Sequence, residues 1–246
     1  MPTHRNAALV VFARAPKRGR VKTRLAPPLT PNQALTLHTA CLQSTAALAA
    51  SLPPAVKLYL YLTSRSLPVA RRVAHRLGLP RRLQVRVQGG GDLGARLARA
   101  FNELGAEGCD RVVVIGSDSP ALPRHRLRNA FAALDRAEAV LGPARDGGYY
   151  LIGLRLPRAG LSRLFRGIDW GTPRAFRQTR ARLRAARLRL HLLPPGYDVD
   201  TAADLNRLRR NLRRHRGAHL RPLQDWFAAA GNKLHPSQER TGQPRR

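Results

Sequence analysis

Arg-Val-Val-Val-Ile-Gly-Ser-Asp-Ser-Pro, residues 111 to 120, is the stretch that decides the fold. Val112 to Ile115 is a short, continuous run of β-branched apolar residues. That is the pattern of a strand buried on both faces of a parallel sheet. Gly116 opens a turn, and Asp118 follows where such a strand reaches the carboxyl edge of the sheet. Ligands of open α/β sheets bind in the crevice outside those strand ends. A carboxylate placed there suits Mg²⁺, which takes one or two carboxylates together with substrate phosphates. Asp, Ser and Pro are also ordinary turn residues, so the segment alone is equally consistent with a capped turn.

Outward from this strand, apolar runs and helical patterns alternate. The spacing predicts strands over 8–13, 56–62, 83–87, 139–141 and 149–154, with 83–87 alternating as an edge strand. Helices are predicted over 31–51, 68–77, 92–104 and 123–137, the first with Thr30 as its cap and Pro31 in its first turn. Strands separated by helices imply βαβ units and a mostly parallel, α/β, Rossmann-like sheet flanked by helices. Arg174 to Arg189 reads as an Arg-decorated amphipathic helix, 201–214 as a polar helix and 220–230 as a short docking helix. The segment 231–246 has little apolar content and is expected to be a disordered basic tail.

Composition narrows the classes. With 246 residues, 43% of them hydrophobic, the chain can bury a sizeable core, which argues against global disorder. No run of about 18 apolar residues is present, and the apolar run near the N-terminus is too short for a signal-peptide core, so a cytoplasmic protein without a membrane span is expected. Cys41 and Cys109 lie far apart, outside any metal-binding spacing, and read as small, partly buried thiols. The net charge of +31 invites a nucleic-acid reading. However, the basic residues are spread along the chain, all but Lys17, Lys22, Lys57 and Lys233 are Arg, and few aromatics accompany them. That argues against a base-stacking surface, and no specific nucleic-acid partner is expected.

Four loops could carry chemistry. Residues 14 to 25 follow the first strand and are rich in cations; Arg14, Lys17, Lys22 and Arg24, with flexible Gly19, are candidates to hold a diphosphate or triphosphate. The spacing is neither a Walker A loop nor a dinucleotide fingerprint. Gln88-Gly89-Gly90-Gly91-Asp92-Leu93-Gly94 is a glycine loop in which Gly91 and Asp92 are candidates for nucleotide contact, glycine allowing close approach of the backbone, and Asp92 can also cap the next helix. In Gly142 to Tyr150, the residues Arg145, Asp146, Gly147, Gly148 and Tyr149 form either a hairpin turn or a compact surface for a polar acceptor. Asp198-Val199-Asp200-Thr201 places Asp198 and Asp200 on one side of an extended segment, from which they could join Asp118 as metal ligands.

Together with Ile168-Asp169-Trp170 and Thr172, these segments, taken in this order, resemble the DUF2064 family over roughly residues 8 to 210. That family is placed in the glycosyltransferase-A (GT-A) superfamily, many of its members being labelled as arsenosugar-biosynthesis glycosyltransferases. The chain is also similar to phospholactate and molybdenum cofactor guanylyltransferases. The resemblance implies a GT-A-like transferase domain over 1–216, followed by the docking helix at 217–230 and the tail at 231–246. It implies a nucleotide-activated donor, a small-molecule acceptor and Mg²⁺ or Mn²⁺ as cofactor. By position it suggests the basic loop for the phosphates and Asp118 with Asp198 or Asp200 for the metal. Asp146 is then the candidate catalytic carboxylate that activates an acceptor hydroxyl. Ser117-Asp118-Ser119 carries one acid where many GT-A glycosyltransferases have an Asp-x-Asp pair, so nucleotidyl transfer stands as the alternative to glycosyl transfer. Oligomeric state is left open.

Overall fold

The structure, a computed structural model, describes residues 6–157, 159–215 and 217–230. The tail expected over 231–246 lies outside the described residues. The apolar runs form β1 (Ala7–Arg14), β2 (Lys57–Thr63), β3 (Leu83–Val87), β4 (Arg111–Gly116), β5 (Ala139–Pro143), β6 (Tyr149–Arg155) and β7 (Leu190–Leu192). Between and after them lie α1 (Pro31–Ala50), α2 (Leu67–Arg76), α3 (Leu93–Ala106), α4 (Arg124–Leu134), α5 (Leu161–Leu164), α6 (Ala175–Ala185), α7 (Ala202–Arg214) and α8 (Arg221–Ala230).

The seven strands make one sheet in the order β3-β2-β1-β4-β6-β5-β7. All pairings are parallel except those of β6, which runs against both β4 and β5. The fold is thus Rossmann-like α/β, with helices on both faces. The unbroken apolar runs have their reason in the pleat, which sends successive side chains to opposite faces. Leu9, Val11, Ala13, Val113 and Ile115 pack on one side, where α1, α2 and α4 cover them. Ala8, Val10, Phe12, Val112 and Val114 pack on the other, under α3. A third cluster joins α1 to α7 and α8 through Leu37, Leu208, Leu223 and Trp226.

Local signals fix the helix starts. Thr30 accepts from the Gln33 amide while the Gln33 side chain accepts from Thr30 N–H, a complete capping box. Thr201 and Asp204 repeat that arrangement at α7. Helix α4 stops at Leu134, short of the predicted 137; the chain continues in a turn through Arg136, and Asp135 pairs with Arg111. The strand β7 was not predicted. Among the described residues no helix is long and apolar enough to cross a membrane. Cys41 and Cys109 are free thiols, buried more fully than the partial burial expected.

The chain lays β2 and β3 to one side of β1, then places β4 on the other. Between β1 and β4 the winding reverses, and crevices open at such a reversal outside the carboxyl ends of the strands. The basic loop after β1 and the Ser117–Asp118 turn after β4 leave from this point. Because β5 is parallel to β4, the tip of the β5–β6 hairpin reaches the same edge.

Candidate functional site

A cavity of about 430 Å³ opens at that edge. Its polar side carries four carboxylates, Asp118, Asp146, Asp198 and Asp200, beside Arg14, Lys22 and Arg24. Leu93, Tyr149, Trp170 and Ala175 form a more apolar wall.

The start of the basic loop is tied down by side chains from three elements. Buried Gln88 donates to the carbonyls of Ala13 (3.0 Å) and Tyr61 (2.9 Å), joining the ends of β1 and β2. Thr63 Oγ1 accepts from Ala15 N–H, and His38 on α1 meets the Arg14 carbonyl through Nε2 at 2.9 Å. Beyond this point Lys22 takes a left-handed backbone (φ 50°), uncommon for a residue with a side chain. It caps the short 3-10 turn Thr23–Leu25.

From there Lys22 turns inward until its side chain is only 2% exposed. Its ammonium donates to Asp118 Oδ1, to the Val199 carbonyl at 2.8 Å and to Asp200 Oδ1 at 3.3 Å. These three acceptors match its three N–H groups. The backbone supports the meeting, since Val199 N–H donates to the Asp118 carbonyl. Val199 itself is fully buried, which turns Asp198 and Asp200 together toward the cavity, as their alternation predicts.

The four carboxylates are not equivalent. Asp118 is crowded by protein yet open to the cavity (47% exposed); burial works to raise its pKa, but Lys22 outweighs it and holds the carboxyl below its usual range. Lys22 is likewise kept charged, the attraction of Asp118 and Asp200 overcoming the burial that would strip its proton. Asp198 accepts from Ser119 Oγ, and its pKa is pushed up to about 7, chiefly by burial and also by the neighbouring Asp118, Asp146 and Asp200. Asp146 sits at the hairpin tip, its Oδ1 accepting from Gly148 N–H at 3.0 Å.

The structure therefore gathers Arg14, Lys22, Arg24, Asp118, Asp146, Gly148, Tyr149, Asp198 and Asp200 around one cavity. Lys17, Gly19, Gly91, Asp92, Arg145 and Gly147 do not line it. Two of these have structural work instead. Asp92 caps α3, its Oδ1 accepting from Ala95 N–H at 2.7 Å. Gly147 has φ +87°, and a Cβ there would lie 2.2 Å from the Pro173 carbonyl oxygen, so the tip can pass beneath that segment only as glycine. In this structure all the N–H groups of Lys22 are engaged by protein oxygens.

Sequence reasoning gave His38 no role, and nothing local distinguishes it from any other helical histidine. Trp170 and Thr172 lacked an assigned role, although their motif was noticed. Their loop is held by Thr172 Oγ1 donating to the Asp169 carbonyl and by Gln178 bonding Asp169 N–H and Oδ2. Gly94 explains the second glycine of Gly-Asp-Leu-Gly. A Cβ there would meet the Phe165 carbonyl at 2.6 Å and Trp170 Cζ2 at 3.1 Å, so α3 can approach this wall only without a side chain.

A family model described as "Uncharacterized protein conserved in bacteria (DUF2064)" matches residues 45–172, just over half the chain. The chain belongs to the DUF2064 family. The matched span of this DUF2064 chain holds the Asp118 turn, the glycine loop, the hairpin tip and the Trp170 loop. Among solved structures, a Desulfovibrio desulfuricans G20 protein designated a nucleotide-diphospho-sugar transferase is 31% identical, with a TM-score of 0.79, 89% of this chain covered and 94% of that one. A cytidylyltransferase from Leptospira borgpetersenii shares the fold at 13% identity (TM-score 0.54, 89% and 93% covered). A 4-diphosphocytidyl-2C-methyl-D-erythritol synthase from Anaerococcus prevotii does so at 8% (TM-score 0.52, 85% and 97% covered). No curated protein matches the DUF2064 chain by sequence.

Proposed function

We propose that this protein is a GT-A-like transferase acting on a nucleotide-activated donor, with glycosyl transfer from a nucleotide sugar to a small-molecule acceptor as its reaction. The observation that carries this reading is the cavity at the winding reversal, where four carboxylates meet the basic loop after β1. The designation of the 31% identical relative supports it.

Among the described residues no three His, Cys, Asp or Glu side chains are grouped so as to hold a metal ion by themselves. Asp118, Asp200 and the Val199 carbonyl are hard oxygen donors of the kind Mg²⁺ or Mn²⁺ takes, and they already converge on one positive charge, that of Lys22. The residues fit a cation completed by substrate phosphates, with Asp198 set aside by its bond from Ser119. Asp118 and Asp200 would hold that ion, whose chemistry when bound is to neutralise a departing diphosphate.

In this reading Arg14 and Arg24 position the diphosphate, and the Leu93–Tyr149–Trp170 wall takes the less polar part of a substrate. Asp146, fixed by Gly148 N–H, accepts the proton of the acceptor hydroxyl as that oxygen attacks the anomeric carbon. The bond from that carbon to the diphosphate breaks, and a nucleoside diphosphate leaves.

One observation favours nucleotidyl transfer as a second reading. Pro120 stands where an Asp-x-Asp pair begun by Asp118 would put its second acid, and the hydroxyl of the intervening Ser119 is committed to Asp198. An acceptor phosphate would then attack the α-phosphorus of a nucleoside triphosphate, and pyrophosphate would leave.

A ligand panel read by thermal shift with Mn²⁺ separates the two. Glycosyl transfer predicts stabilisation by nucleoside diphosphates that triphosphates scarcely exceed, and its loss in Asp118→Asn. Pyrophosphate release from a triphosphate with a phosphorylated acceptor would favour the second reading. No response to any nucleotide would remove both.

A further inference from the structure

Lys22 sits in an unusual position for a residue of a phosphate-binding loop. Its side chain is almost wholly buried, its backbone is held left-handed, and its ammonium is saturated by Asp118, Asp200 and the Val199 carbonyl. The loop supplying it and the segment supplying Asp200 are 178 positions apart, so this meeting is built by the tertiary fold. The same oxygens are those that fit a divalent cation, and one niche cannot hold both charges. Within a few ångströms, beside the buried ammonium of Lys22, a dication is strongly repelled.

We propose that Lys22 is the resident cation of the Asp118–Asp200 niche, and that a divalent ion enters only together with a diphosphate that draws Lys22 away. The inference rests on the metal-dependent reading above. The exchange conserves charge complementarity throughout. At rest the two aspartates face the ammonium; in the loaded state they face the divalent ion, and the ammonium faces phosphate oxygens in the same cavity. The four-carbon stem of lysine permits this swing without movement of the loop. Metal and diphosphate then raise each other's affinity by the same factor, because coupling between binding events is reciprocal. The arrangement also keeps two aspartates from lying unneutralised side by side in the empty protein.

The test compares Mn²⁺ binding, read from the electron paramagnetic resonance of the free ion, in wild type, Lys22→Met and Lys22→Met/Asp118→Asn, with circular dichroism as the check on folding. Without nucleotide, wild type should bind Mn²⁺ weakly. Lys22→Met should bind it more than about tenfold tighter, and the double variant should lose that gain. Equal affinities in wild type and Lys22→Met would overturn the proposal while leaving the metal-dependent reading intact. Failure of wild type to bind Mn²⁺ even with nucleoside diphosphates would remove that reading and the proposal with it. A second measurement needs no variant, since the chain has only four lysines. In lysine-selective ¹⁵N NMR, millimolar Mg²⁺ alone should leave the Lys22 ammonium signal in place, and Mg²⁺ with pyrophosphate should displace it. Displacement by Mg²⁺ alone would also overturn the proposal.

Discussion

Asp118→Asn keeps the shape of the side chain while removing the charge that faces buried Lys22. Cutting one partner from a buried ion pair leaves the other uncompensated. Here Asp200 remains and Asp118 is half open to the cavity, so the expected loss is about 1–3 kcal/mol, the range for an unsatisfied buried group. Asp200→Asn should cost less, its contact being longer at 3.3 Å; urea unfolding of both variants checks the order, and equal losses would contradict it. His38 offers a pH-dependent counterpart. The Arg14 carbonyl can only accept, so His38 Nε2 carries the proton, and burial holds the ring below its usual pKa of 6.5. The unfolded chain therefore binds more protons as pH falls through 6.5, and the folded state loses stability below it. His219 shares this direction, while Asp198, raised from 3.8 to about 7, opposes it. The measurement is thus a difference: His38→Gln should gain on wild type as pH falls from 7 to 5, and parallel profiles would exclude a contribution from His38. The aspartates of the site could be read in the sequence because each stands at a strand end or in an extended alternation. The hold on Lys22 could not, since its partners lie 96 to 178 positions away and local pattern does not say which distant side chains meet.

Strands and helices were legible wherever periodicity runs long enough. The unbroken runs of β1 and β4 and the cap of α1 appear where their chemistry requires. Thr30→Ala should remove the capping box and cost about 1 kcal/mol, measurable by denaturant unfolding; an unchanged midpoint would show that the start of α1 is held by packing alone. The strand β7 escaped notice because three residues at a sheet edge, two of them exposed, carry no alternation to read. The reach of α4 was overestimated because Asp135 and Arg136 close tighter turns, onto the Ala132 and Ala133 carbonyls, that apolar spacing does not distinguish from helix. The second glycine of the Gly-Asp-Leu-Gly loop yields a sharper expectation. Gly94→Ala forces a Cβ against the Phe165 carbonyl and the Trp170 ring, an overpacking of about 1–3 kcal/mol. In a Trp226→Phe background, Trp170 emission should shift in this variant, and an unchanged spectrum would mean that the wall yields elsewhere.

The molecule as a whole carries a net charge of +31, yet 4 of its 14 acidic residues line one cavity. A positive exterior draws polyanions without selecting among them. Counterion release makes such binding fall by about a thousandfold or more between 50 and 200 mM salt when several phosphates are contacted. DNA or RNA binding should therefore fade over that range and ignore Asp118→Asn, whereas nucleotide binding should survive the salt and fail in the variant. Tight, sequence-selective nucleic-acid binding at 200 mM salt would overturn the transferase reading.

The reversed direction of β6 gives the fold a capacity for change. The chain leaves the sheet after β5 and re-enters at β6 from the same edge, so the tip carrying Asp146 departs and returns at neighbouring points. Such a tip can be lengthened or rewritten without disturbing the strand registers beneath it. The contact of Gly147 with Pro173 is the chief constraint to respect. The basic loop after β1 and the turn after β4 belong to other strand ends and need not change with it. On the proposed reading, descendants of such a chain could thus exchange one acceptor for another by altering a handful of codons, while the loops assigned to the activated donor are inherited whole.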